Sequence, residues 1–252
     1  MSDAGNPGNS GPLGGLTNSP QIDRNTLIRQ QAKPRVACGW DFQFTAWGML
    51  QAVHAAMDEY AQEIFDLWFS GKATPEVIFD NQKWAAYMRA EERLQRQITA
   101  QLLVYAEQQR EKVNTSTGPF KSPFSVTFHA EVGSEQGEYR TGYDVLHGSN
   151  KSAGDCVISG KLTAVRSGPR GSAYTATYED LSFVFNDVVD INKTWKADVK
   201  LGQIAANMAW CLETGSPKDY VLRIKWRAEG PIKLEVGPEG KGPAWLKQFP
   251  NR

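Results

Sequence analysis

The sequence predicts an α+β protein: an N-terminal α-helical hairpin followed by an antiparallel, half-open β-barrel with one packed helix. Two observations carry this. Apolar residues recur every three to four positions up to about residue 113, and every second position from Phe124 onward. Between the two regimes lies Asn114–Pro123, NTSTGPFKSP, a run of turn-forming residues read as a linker. The implied layout is a flexible leader (1–35), a helical domain (36–113), the linker (114–123), a β domain (124–236) and an irregular tail (237–252) with three prolines.

The leader is rich in Gly, Asn, Pro and Ser and cannot bury enough apolar surface to order itself. It has neither a basic n-region nor an apolar h-region, so no Sec signal is expected. The expectation is synthesis in the cytoplasm, followed by retention there or export by a route without a cleaved signal. Asp41 is the expected N-cap of a helix over about 42–69. Its stripe is Ala46, Leu50, Val53, Met57, Tyr60, Ile64 and Leu67, and Ser70-Gly71 is its stop. Thr74-Pro75 predicts the start of a second helical region, broken near Asp80-Asn81 and continuing to about 112. Trp84, Tyr87, Met88, Leu94, Ile98, Leu102 and Tyr105 form its apolar face. The first helix carries four acidic residues and no Lys or Arg. The second has six basic residues against four acidic ones over 82–113. Joined by a short turn, the two read as an antiparallel hairpin, either a packed structural unit or a membrane-active or receptor-facing module.

Beyond the linker, Phe124 to Val132 alternates as a strand. Further strands are expected over 139–146, 155–165, 173–185, 219–226 and 232–236, with one helix over about 194–213. Six strands and a late helix predict a sheet curled into an open barrel.

Lys+Arg and Asp+Glu balance at 28 each, which speaks against a nucleic-acid partner. The longest uncharged run beyond the leader, Phe42–Met57, is too short and too polar for a membrane span. Cys38, Cys156 and Cys211 form no CxxC pair, and Cys156 and Cys211 read as small core residues. No nucleophile elbow, Walker A sequence, HExxH or dinucleotide fingerprint is present. Of the three histidines, His54 reads as structural. His129 falls on the strand face opposite Phe124, Val126 and Phe128, and His147 ends the GYDVLH strand before Gly148. The richest chemistry follows the 173–185 strand, where Asn186, Asp187, Asp190 and Asn192 fall within seven residues. Such a run makes a turn, because Asn and Asp bond their own backbone. It also makes a cation or phosphate site, or an acid–base pair.

Four segments, in order, resemble the activity domain of colicin M-type bacteriocins: Tyr143-Asp144-Val145-Leu146 with Gly148; Gly154-Asp155 with Ile158, Gly160, Leu162 and Thr163; Asn186 to Asn192; and Pro217-Lys218-Asp219-Tyr220. The resemblance covers roughly 138–236 and implies a half-open β-barrel. It also implies a Mg²⁺-dependent hydrolase that cuts lipid II, the undecaprenyl-linked peptidoglycan precursor, between lipid and pyrophosphate. By position, Asp187 and Asp190 match the family's two acidic residues and the expected metal ligands, and Asn192 matches the asparagine after them. Val189 stands in place of a tyrosine, and Trp195 and Lys196 in place of the catalytic His-Arg pair. Lys196 keeps the positive charge without the forked guanidinium. The resemblance leaves open whether the domain retains enzyme chemistry.

The expected protein is an antibacterial toxin or secreted effector acting in a target cell's periplasm, with a cognate immunity protein and a secretion machine as partners. The rival readings are a non-enzymatic effector that disrupts a membrane surface or binds an amphipathic ligand, and a structural or adaptor component of a secretion system.

Overall fold

The structure, a computed structural model, describes residues 58–132, 152–189 and 219–239, with positions 48, 51, 54 and 55. The predicted strand at 139–146, the helix at 194–213, the leader and most of the tail lie outside the described residues.

Helix α1, Glu59–Phe69, begins at Asp58, whose backbone is extended (φ −74°, ψ 173°) and whose carboxylate accepts the Ala61 N–H at 2.8 Å. Positions 48, 51, 54 and 55 are helical too, but a helix does not run unbroken from 42 to 69. A short acidic side chain satisfies free N–H groups better at a helix start than in its interior, and Asp58 starts one here. Gly71 ends α1 with φ 63°, as the Ser70-Gly71 stop implied.

Thr74-Pro75 does not open a helix. Glu76–Phe79 is a strand, β1, paired in parallel with β5 (Tyr220–Arg227). Proline has no N–H to give and sits acceptably just ahead of an edge strand. Its carbonyl accepts the Val221 N–H at 2.9 Å. Helix α2, Gln82–Ala90, then starts at Asn81, whose side chain accepts the Trp84 N–H. Helices α3 (Glu92–Gln108) and α4 (Arg110–Thr115) follow. The predicted short-turn hairpin is therefore replaced by a helix–strand–helix passage. Helices α1 and α2 still meet through Tyr60, Trp84 and Tyr87.

The rest is a six-stranded, mostly antiparallel open sheet. Strands β2 (Phe120–Val132), β3 (Ser152–Arg166), β4 (Tyr174–Val189) and β5 lie in the order β1-β5-β4-β3-β2. Strand β6, Ile232–Val236, pairs with the first half of β4 while β5 pairs with its second half, so the two lie end to end along one edge. Of the predicted linker, Asn114 and Thr115 belong to α4 and Phe120–Pro123 to β2. A bulge interrupts β3 and β4 between Ser159 and Lys161, where Asp180 takes φ 53°. Gly160 sits there because a Cβ would lie 2.8 Å from the Glu179 carbonyl.

One buried cluster joins helices and sheet: Ile64, Trp68, Trp84 and Leu94 pack with Phe128, Cys156, Phe185 and Leu222. Three buried tyrosines tie strands to helix backbones. Tyr174 donates to the Ala106 carbonyl, Tyr178 to that of Leu102, and Tyr220 to that of Ile64 at 3.0 Å. The buried Asp219 carboxylate accepts the Trp68 indole N–H at 3.2 Å. The helices thus cover one face of the sheet, and the other face carries its polar residues.

Candidate functional site

The chemistry gathers at one end of the sheet, where β3 begins, β4 ends and β5 begins. Successive residues of a strand alternate faces. Phe185 and Val189 are fully buried on the helix-covered side, and Asp187, half-buried, shares that parity. Asp187 stands opposite Leu222 of β5, and its Oδ1 accepts the Val188 N–H at 2.7 Å. Asn186 faces the other way.

On that outer face, register builds a polar row across the sheet. His129 of β2 is opposite Asp155 of β3, Asp155 opposite Asn186 of β4, Asn186 opposite Arg223 of β5, and Arg223 opposite Ile78 of β1. His129 therefore lies on the face that the alternation of its strand implied. Its Nδ1 is 3.8 Å from Asp155 Oδ1, with the two side chains 38% and 17% exposed. Arg223 Nε is 2.8 Å from Glu76 Oε1. Asp155 Oδ1 and Asn186 Oδ1 are buried with no hydrogen-bond partner. Two rows further along, Ser125, Ser159 and Ser182 are aligned with Arg227, and Ser125 and Ser159 share a hydroxyl–hydroxyl bond of 3.1 Å.

Gly154 belongs to the same end of the sheet. A Cβ there would fall 2.4 Å from the Asn186 carbonyl oxygen and 2.6 Å from the Phe185 ring. The glycine lets β3 approach the strand that carries Asn186 and Asp187.

Asp190, Asn192 and Lys196, with Trp195 and His147, lie outside the described residues, so no geometry joins them to Asp187. Of the two expected Mg²⁺ ligands only Asp187 is described, and one carboxylate does not make the oxygen-rich octahedral seat that Mg²⁺ requires. Among the described residues no three His, Cys, Asp or Glu side chains form a metal cluster. His54 bonds Asp66 on α1, 2.9 Å away. Cys156 is a core residue, and burial pushes its thiol far above the ordinary range, which removes it as a nucleophile. Among the described residues no helix is long and apolar enough to cross a membrane.

In the sequence His129 and Asp155 stand apart, and Arg223 carries no signal of its own. Their strand alternation was readable, but the register that puts all three in one row was not.

No protein-family model and no curated protein matches the chain in sequence. Among solved structures, it is similar to PaeM, a colicin M-like bacteriocin produced by Pseudomonas aeruginosa, with a TM-score of 0.37 and 11% identity. The match covers 71% of this chain and 52% of PaeM, about half of that protein's length. This is a distant likeness of fold.

Proposed function

We propose that the chain is an antibacterial toxin whose β domain attacks lipid II at the bond between lipid and pyrophosphate, in the periplasm of a target cell. The supporting observation is convergence. Gly154-Asp155, Asn186-Asp187 and Asp219-Tyr220 are about thirty residues apart in sequence, yet they meet at one end of three neighbouring strands. These are parts of three of the four ordered segments that resemble the colicin M activity domain.

In this reading Asp187 and Asp190 carry the chemistry: they would hold Mg²⁺, which would neutralise the pyrophosphate, or one would be the base that activates water. Asn192 and Lys196 complete the run, Lys196 supplying positive charge toward phosphate. A cognate immunity protein guards the producer, which makes the same precursor. A secretion machine that injects the protein delivers it to the target.

The test is expression in a sensitive bacterium with and without an added Sec signal, beside an Asp187→Ala/Asp190→Ala double variant. Lysis from the periplasmic form alone, and only with both aspartates, is the expected result. Killing that ignores the aspartates and accompanies dye leakage from liposomes would replace this reading with membrane damage. An absence of killing in either compartment would overturn it.

A further inference from the structure

The outer-face row contains two acceptors that nothing satisfies. Buried polar atoms in folded proteins almost always find a partner, and each exception calls for a cause. Asp155 Oδ1 and Asn186 Oδ1 belong to side chains that are neighbours in register on adjacent strands, and both are buried without a donor. A buried acceptor left without a donor is costly in a low local dielectric. A positive charge within reach of both removes that cost.

The third member of the row fits that charge. His129 Nδ1 stands 3.8 Å from the same Asp155 Oδ1. That is too long for a hydrogen bond, which ends near 3.2 Å. It is shorter than the roughly 4.2 Å that two donors can span when each lies about 2.1 Å from one ion. Strands β2, β3 and β4 each supply one donor, so the set is held by sheet register and not by a loop.

We propose that His129, Asp155 and Asn186 form a seat for a divalent transition-metal ion. One imidazole nitrogen with two oxygens suits Zn²⁺ or Mn²⁺, whereas Mg²⁺ prefers oxygen alone. The seat is open, because three protein donors leave further positions for water or an anion. It is distinct from Asp187, which has the parity of the opposite face, and it does not rest on the toxin reading.

The experiment uses the full chain, stripped with a chelator, dialysed, and titrated with Mn²⁺ and with Zn²⁺ by calorimetry and thermal melting. The expected result is saturable binding and a melting temperature that rises with metal concentration. Affinity should fall at least about tenfold in both His129→Ala and Asp155→Ala. Glu111→Ala, which removes an exposed carboxylate paired with Arg170 and outside the row, should bind as the parent does. Pulsed electron paramagnetic resonance of bound Mn²⁺ should show nitrogen coupling that His129→Ala abolishes. If Asp155→Ala does not fold in the absence of metal, the more exposed His129→Ala decides. Failure of the parent chain to bind either ion saturably would overturn the proposal, and so would binding of parental strength in the folded variants.

Discussion

Asn186 and Asp187 are neighbours in the chain and face opposite sides of the sheet. Asn186 stands in the outer row between Asp155 and Arg223, while Asp187 falls in step with Phe185 and Val189, opposite Leu222. The polar run that reads in sequence as one cluster is thus divided by the pleat at its first two members.

That division is testable by mutation. In the periplasmic killing assay, Asp187→Ala is expected to lose about 10²–10⁴-fold in potency, the usual weight of an acid–base group. Asn186→Ala is expected to keep its potency. Chemical denaturation of the Asp187→Ala protein should show a change of less than about 1 kcal/mol. Equal loss in both variants would remove the argument from faces.

Gly154 is required by packing. Gly154→Ala places a methyl 2.4 Å from the Asn186 carbonyl oxygen, so backbone must move. A loss of about 1–3 kcal/mol is expected in urea denaturation. Gly118→Ala is the control. Its Cβ meets nothing within 4 Å, and its stability should change by no more than about 0.5 kcal/mol.

Trp68→Phe keeps the ring's bulk in part and deletes the indole N–H that reaches Asp219 at 3.2 Å. Asp219 is only 5% exposed, so water cannot fully replace that donor. Hydrogen bonds to charged groups contribute about 1.5–3 kcal/mol. A loss of that size is expected in urea denaturation, and it should change little with added salt because the pair is buried.

Alkaline pH should unfold the protein through its tyrosines. Burial raises the phenols of Tyr174, Tyr178 and Tyr220 well above their ordinary value of 10.0. The unfolded chain releases these protons near pH 10 while the folded chain holds them. Their contribution is therefore fully present below pH 10 and is lost as pH rises beyond it. Each retained proton is worth about 1.4 kcal/mol per pH unit, so three give a slope of about 4. Thermal melts over about pH 8 to 11 check the slope, and Tyr178→Phe should reduce it by about one third.

Strands β2 to β6 were legible in the sequence because alternation by two depends only on which residues must leave water. The same logic placed His129 on the face away from Phe124 and Phe128. The stop at Ser70-Gly71 was legible because only glycine tolerates that backbone cheaply. Strand β1 was not. Four residues behind Thr-Pro carry no period, and Glu76–Phe79 is a strand because the edge of β5 accepts it. Asp58 likewise reads as a helix residue until the chain direction makes it a cap. The outer row of His129, Asp155, Asn186 and Arg223 belongs wholly to the tertiary structure. Its members come from four strands whose pairing register is set by packing the inner face, and a slip of one residue would send each side chain to the other side.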